Sequence, residues 1–174
     1  MPATTIQGDL DIRQPSRERI GNTAQTRREV EFAARIAGLV PMKLLLNIDV
    51  PEIATAEAFY TAAFGLHAGR RFGADGLELR GLEAPVYLLA KPEGSSGAGN
   101  STRTYARHWT PLHCDVVVDD LDAALARTIA AGAVQEGATR DTRWGRIVQV
   151  ADPYGHGWCL IEFRGRGYDE ITTN

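Results

Sequence analysis

Two short runs of the sequence resemble each other and place an asparagine and a histidine at matching positions. The runs are Leu46-Asn47-Ile48-Asp49-Val50 and Leu112-His113-Cys114-Asp115-Val116, with 113 − 47 = 66 residues between matching positions. If the two copies fold alike and pair, Asn47 and His113 become equivalents that face one shared cavity. A metal ion or a small molecule could bind there. The repeat therefore predicts a site at the seam between two copies.

Length and charge limit the class of protein. The chain has 174 residues, which suits one domain with a real core. Its 19 Lys and Arg against 22 Asp and Glu give a formal charge of −3. Such a chain has no overall attraction for a polyanion, so we expect no nucleic-acid partner.

Targeting signals and cysteine usage point to the cytoplasm. No uninterrupted apolar stretch is long enough to span a bilayer, and the first ten residues lack the apolar core of a secretion signal. We therefore expect no membrane partner. Cys114 and Cys159 are too few for a disulfide framework and lie in strand-like runs, so both are expected to be free thiols.

The order of predicted elements is the same in both halves, and each half is read as β-α-β-β-β. Apolar content and glycine or proline stops predict one strand, one helix and three strands in each half. The first module covers 42–91, with elements near 42–50, 55–64, 67–72, 77–80 and 86–91. The second module covers 108–165, with elements near 109–118, 121–131, 134–139, 146–150 and 158–163.

The remaining segments are an arm, a linker and a tail. Residues 1–40 are polar at first and helix-prone from about 23 to 37, and either a disordered leader or a helix packed on the body or a second subunit fits them. The Gly/Ser-rich stretch lies in 92–107 and is the linker between modules. Residues 166–174 form a tail.

A family resemblance follows from this duplication together with the ending Asp152-Pro153-Tyr154-Gly155-His156-Gly157-Trp158-Cys159-Leu160-Ile161-Glu162-Phe163. Residues 42–165 resemble the vicinal oxygen chelate superfamily, which includes glyoxalases, extradiol dioxygenases and bleomycin-resistance proteins. The resemblance implies an α+β fold in which two tandem βαβββ modules form a curved, incompletely closed mixed sheet around a cavity. It also implies a homodimer, because many relatives form dimers and some build each site across two chains.

The resemblance further implies a metal set drawn from the first and fourth strands of each module. Carried across by position, that set is Asn47 and His113 on the first strands, with Glu162 and Ala90 on the fourth strands. His113 and Glu162 suit Zn, Fe, Mn or Ni, whereas Asn47 offers one weak amide oxygen and Ala90 nothing. Only half of the family's ligands are present, so a divalent metal is implied but not assured.

A second interpretation needs no metal. An imidazole hydrogen-bonded to a carboxylate is a satisfied pair, so His113 could simply contact Glu162 in the cavity wall. That pair could still act as a general base, which makes Glu162 and His113 the candidate catalytic residues. His156 is interpreted as part of the turn before the last strand rather than as a ligand.

Six residues are candidates for contact with a substrate. Trp109 and Trp158 could form an aromatic wall, and guanidinium groups near strand ends could bind an acidic ligand group. Asp115 shares the strand face of His113, two residues further on. The six are Trp109, Trp158, Arg71, Arg143, Arg146 and Asp115.

Two functions remain open. The first is a metal-assisted lyase, isomerase or dioxygenase that uses His113, Glu162 and Asn47. The second is a metal-free protein that sequesters a small molecule, as bleomycin-resistance proteins do. A His and a Glu at both second-module ligand positions exceed what a passive pocket needs, so the balance favours an enzyme. A weaker third interpretation makes the arm an interaction module.

Overall fold

The computed structural model describes residues 43–173, and Phe32 in addition. The predicted arm over 1–40 and its helix-prone stretch therefore lie outside the described residues, apart from Phe32. From Leu44 onwards the chain forms one compact unit.

The described chain repeats one order of elements twice. The first module consists of β1 Leu46–Val50, α1 Ile53–Phe64, β2 His67–Arg71, β3 Gly76–Arg80 and β4 Val86–Ala90. The second consists of β5 Cys114–Val117, α2 Leu121–Ala130, β6 Val134–Asp141, β7 Gly145–Ala151 and β8 Gly157–Phe163. A short 3-10 helix, Gly167–Glu170, follows.

Each module forms a four-stranded mixed sheet. The orders are β1-β4-β3-β2 and β5-β8-β7-β6, so β1 and β5 each form one end of a sheet. β1 pairs with β4, and β5 with β8, in parallel, while the other pairs are antiparallel. The two sheets with two helices confirm the predicted α+β fold of two βαβββ modules without a closed barrel.

Local sequence explains where α1 begins and ends. The carboxylate of Glu52 accepts hydrogen bonds from the N–H groups of Ala54 and Thr55, at 2.8 Å each, which caps the helix N-terminus two residues before the predicted start at Thr55. Gly65 ends the helix with φ of 70°, a left-handed conformation that glycine adopts without strain.

The helices cover one face of each sheet and meet each other. Leu88, Leu121 and Leu160 are fully buried in this common core, and burial of such a side chain stabilises the fold by roughly 1.5–3 kcal/mol. Arg127 of α2 donates a 3.0 Å hydrogen bond to the carbonyl of Ala63 of α1. The core therefore joins the two modules.

Within residues 43–173, neither α1 nor α2 covers the other face of each sheet, and we call it the open face. In the second sheet, the register places Asp115 opposite Cys159 and Cys159 opposite Gln149. Alternation along the strands therefore puts these three side chains on the open face, whereas Trp158 and Leu160 point into the core.

The segment before β5 differs from its prediction. A strand was expected over 109–118, but β5 spans only Cys114–Val117. Pro111 has no N–H to donate to a strand ladder, and the Thr110 hydroxyl bonds the carbonyl two residues on at 2.6 Å. His113 therefore lies at the end of a loop that enters β5 rather than within the strand.

The linker segment 92–107 contacts the first sheet. An isolated bridge joins Ser96 to Thr102, and the Arg103 guanidinium binds the Asp49 carboxylate at 2.6 Å. The module, linker and tail boundaries themselves stay predictions.

Candidate functional site

A cavity of about 400 Å³ lies at the seam between the modules. We call it the seam cavity. Its wall comes from β1, from the loop that enters β5, and from the turn that enters β8. The lining residues are Leu46, Asn47, Ile48, Asp49, His108, Thr110, Leu112, His113, Cys114, Gly155, His156, Gly157 and Trp158.

The structure brings Asn47 and His113 to this one cavity, as the repeat predicts. Each lies on or beside the terminal strand of its sheet, β1 for Asn47 and β5 for His113. Their roles as ligands of a metal or a small molecule stay predictions.

His113 is paired with an acid other than the expected one. Its Nε2 lies 3.4 Å from Oδ1 of Asp115, and both side chains are partly exposed. Asp115 is also opposite Cys159 on the open face. One donor atom from each of these three residues lies within 4.8 Å of the other two. Imidazole, carboxylate and thiolate are the donor types that zinc and iron accept, so the group fits a divalent ion.

The Cys159 thiol is buried and less acidic than an ordinary thiol. Burial, followed by the negative charge of Asp115, raises its pKa to about 11. Tyr168 of the 3-10 helix lies near the same group, since burial and then the charge of Asp115 raise the pKa of its phenol. Residues 166–174, predicted as a tail, thus contribute a side chain beside the three donors.

Glu162 does not join His113, so the predicted His113–Glu162 pair is wrong. The Glu162 carboxylate accepts the N–H of Leu121 at 2.8 Å, at the N-terminus of α2, and lies 3.7 Å from Arg146. Glu162 follows Leu160 by two residues, and alternation gives both the helix-covered face of β8. Trp158 and Leu160 share that face with Glu162, whereas Cys159 lies on the open face of β8.

Ala90, which matches Glu162 in the first module, likewise lies on the helix-covered face and not on the face of Asn47. Ala90 lies opposite Val50, a core residue, so it faces the helices. Tyr87 lies opposite Asn47 and therefore on the open face. There its hydroxyl accepts a 3.1 Å hydrogen bond from Arg70.

A buried carboxylate behind the seam cavity is the main feature that sequence reasoning missed. Oδ2 of Asp152 accepts hydrogen bonds from the Tyr60 hydroxyl at 2.6 Å, the Trp158 indole at 2.9 Å and Nδ1 of His156 at 2.9 Å. Burial alone would raise the pKa of Asp152, but these donors and the charge of His156 outweigh it and lower the pKa. The spacing of Asp152 and His156, four residues apart around a turn, was the signal for this pair.

Comparison with known proteins places this geometry in a family. Residues 46–161 match the family model described as a glyoxalase-like domain. The chain belongs to the glyoxalase-like domain family. Its relatives and structural neighbours agree with the predicted membership of the vicinal oxygen chelate superfamily.

Two sequence relatives and one solved structure are among the proteins similar to this glyoxalase-like chain. An uncharacterized protein of Mycobacterium tuberculosis (strain ATCC 25618 / H37Rv) is 34% identical over 136 residues, which cover 73% of this chain and 78% of that protein. The anthracycline biosynthesis protein DauV of Streptomyces sp. (strain C5) is 28% identical over 79% of this chain, and the match covers 47% of DauV. The fosfomycin resistance protein FosX of Listeria monocytogenes shares the fold with a TM-score of 0.57 at 14% identity, covering 76% of this chain and 99% of FosX.

The predicted aromatic wall of the glyoxalase-like chain is only partly formed. Trp158 is buried and lines the seam cavity, whereas Trp109 is 77% exposed. Both border a small crevice that also contains His113 and Cys159. Trp109 therefore lies beside the donor group, whereas the Trp158 indole is on the core face of β8.

The three predicted arginines lie away from the seam cavity, so the structure does not support them as its ligand contacts. Arg71 pairs at 2.7 Å with Glu57 of α1, because the irregular register of β2 turns Arg71 towards the helix. Arg146 pairs at 2.8 Å with Asp122 near the start of α2, and Arg143 donates to the carbonyl of Glu170 at 3.0 Å.

Two further expectations concern cysteines and membranes. Cys114 and Cys159 are both free, as the sequence predicted. Over residues 43–173, no helix of this glyoxalase-like chain has the length and apolar character needed to cross a bilayer.

Proposed function

We propose that this glyoxalase-like protein binds a small organic molecule in the seam cavity. The observation that carries the proposal is the cavity itself, in which apolar side chains surround polar groups from both modules. Its volume of about 400 Å³ falls in the range of small-molecule sites. Leu46, Leu112 and Trp158 would contact an apolar ring system, while Asn47 and His113 would orient polar substituents.

The names of two similar proteins support a small-molecule ligand. DauV is named for anthracycline biosynthesis, and FosX for fosfomycin resistance. DauV is the sequence relative of the two, so we infer a flat aromatic ligand of the anthracycline kind for this chain. Such a ligand could contact the indole of Trp158 in the cavity wall. Capture without turnover needs only the cavity. The geometry favours this form of the proposal, because Glu162, the carboxylate of the candidate general-base pair, faces elsewhere.

A second candidate function is metal-assisted chemistry at a donor group that shares His113 with the same cavity. The observation that favours it is the close group of His113, Asp115 and Cys159, whose donor atoms lie within 4.8 Å. A divalent ion held there would supply Lewis-acid polarisation of substrate oxygens. His113 also lines the seam cavity, so a ligand bound in the cavity would lie beside this group.

The protein is further proposed to act as a homodimer. Large apolar side chains lie in solvent beside the second sheet, among them Val117 on its open face at 58% exposure and Leu112 in the loop that enters β5 at 78%. Apolar surface of this kind on a single chain marks association surfaces.

Ligand-induced stabilisation tests the binding proposal. We expect a flat aromatic ligand at a hundred times its Kd to raise the free energy of unfolding by about 2.7 kcal/mol. Asn47→Trp, which fills the cavity, should abolish that gain. Asn100→Trp, at an exposed linker position, is the matched control and should retain it. Equal stabilisation of both variants would place the ligand outside the seam cavity.

A further inference from the structure

His156 presents a carboxylate-bound imidazole to the seam cavity. Its Nδ1 lies 2.9 Å from Oδ2 of Asp152, a side chain with no exposed surface. The His156 side chain itself is 35% exposed and lines the cavity. Because Nδ1 is engaged by Asp152, Nε2 on the far side of the ring is the nitrogen left for a ligand.

The acid behind His156 is held rigidly from both modules. Tyr60 of α1 and Trp158 of β8 donate side-chain hydrogen bonds to Asp152, and the backbone N–H of Tyr154 donates another at 2.9 Å. Within residues 43–173, no Lys or Arg forms an ion pair with Asp152, so a proton accepted by the His156 imidazole would lie beside an otherwise unbalanced carboxylate.

Other titratable groups surround this pair. The guanidinium of Arg107, in the segment before β5, lies against Gly157 and is bound by Glu136 at 2.8 Å. The phenol of Tyr60 has a pKa raised well above its usual value by burial and by Asp152. The titratable groups that also line the cavity are Asp49, His108, His113 and Cys114.

The other two histidines of the cavity lack an equivalent partner. Nδ1 of His108 lies 3.1 Å from the carbonyl of Ala106, which carries no charge. His113 is paired with the partly exposed Asp115 at the longer distance of 3.4 Å. His156 is therefore the cavity histidine best placed to hold a transferred proton.

We propose that His156 is the proton acceptor for a ligand in the seam cavity, and that the ligand is a flat aromatic molecule with an acidic phenol or enol hydroxyl. This inference rests on the proposed function. In the step, the O–H bond of the ligand breaks and an N–H bond forms at Nε2. The ligand remains as an oxyanion beside the imidazolium, whose charge Asp152 balances. No electron transfer is involved.

Alizarin, a hydroxyanthraquinone whose visible spectrum changes on ionisation, is the probe for this step. Titration of the full chain with alizarin across pH gives the affinities of the neutral and anionic forms. We expect the anion to bind at least about tenfold more tightly than the neutral form, which is a lowering of the probe's pKa by about one unit on binding. Binding of alizarin with an unchanged pKa would overturn the inference and leave the proposed function standing, whereas no binding would contradict both.

Substitutions then assign the proton acceptor. His156→Gln should remove the preference for the anion while alizarin still binds. His108→Gln is the matched control, and we expect its bound alizarin to keep the lowered pKa even where the affinity changes. Loss of the preference in both variants, or in neither, would overturn the assignment to His156. The wild-type titration alone decides whether the ligand ionises, so the test stands even if His156→Gln fails to fold.

Discussion

The hydroxyl of Tyr60 donates a 2.6 Å hydrogen bond to Oδ2 of Asp152, 92 residues later in the chain. The bond connects the helix of the first module to the turn that precedes the last strand of the second. Because both groups are buried, Tyr60 supports the stability of the fold and also the position of the carboxylate behind the seam cavity.

Removal of that hydroxyl should destabilise the protein. Tyr60→Phe leaves a buried carboxylate with one donor fewer, and a hydrogen bond to a charged group contributes about 1.5–3 kcal/mol. Urea denaturation followed by circular dichroism measures the change. Tyr105→Phe is the control, because the Tyr105 hydroxyl donates to the uncharged carbonyl of Lys91 at 2.7 Å. Tyr105→Phe should therefore lower the free energy of unfolding by less than Tyr60→Phe does. Equal losses in the two variants would contradict the role given to Asp152.

The fold could be predicted further than the site. Hydrophobic periodicity, helix stops and the 66-residue repeat are local signals, and they located both modules, both helices and the meeting of Asn47 with His113. The face of Glu162 depends on the register of β8 against β5, which pairs Asp115 with Cys159. Long-range register is set by packing, so a position-by-position match to a family selected Glu162, whereas the β8 residue that lies on the side of Asp115 is Cys159, three residues earlier.

Glu162 should matter for stability rather than for ligand binding. Glu162→Ala removes the acceptor for the first N–H of α2, and we expect a loss of about 1–2 kcal/mol in the free energy of unfolding. Glu162→Gln keeps an acceptor and should lose less than half of that. Denaturant titration and ligand binding are measured on both. If Glu162→Ala lost ligand binding but kept its stability, Glu162 would have to be a ligand-binding residue, and this prediction would be wrong.

Acid should destabilise the first module through Glu78. Hydrogen bonds from Arg70, with further donors from Arg80, lower the pKa of Glu78 from 4.5 to about 2. A folded-state pKa below the unfolded value gives stability that is full above about pH 4.5 and is lost as the pH falls towards 2. Wild type should therefore lose more stability than Glu78→Gln between pH 5 and 2, measured by denaturant unfolding at each pH. Equal losses of stability in wild type and Glu78→Gln would show that Arg70 and Arg80 do not stabilise the ionised carboxylate of Glu78.

Dimer formation should depend on the open face. Val117→Lys places a charge on the open face of β5 and should shift the protein towards monomer in sedimentation velocity experiments. Ile129→Lys, at a 43% exposed position of α2, is the control and should leave the association unchanged. A wild-type protein that is monomeric at all concentrations would remove the proposed dimer.

Metal analysis separates the two candidate functions. If the donor group holds an ion, the protein reconstituted with zinc should contain close to one zinc per chain by elemental analysis, and Cys159→Ser or Asp115→Asn should reduce the content about tenfold or more. Cys114→Ser is the matched control, because Cys114 is the other free thiol and lies opposite Trp158 on the core face of the second sheet. It should retain zinc. Wild-type protein that takes up no zinc, iron, manganese or nickel on reconstitution would remove the metal-assisted candidate, and capture of a ligand by the seam cavity would remain as the function.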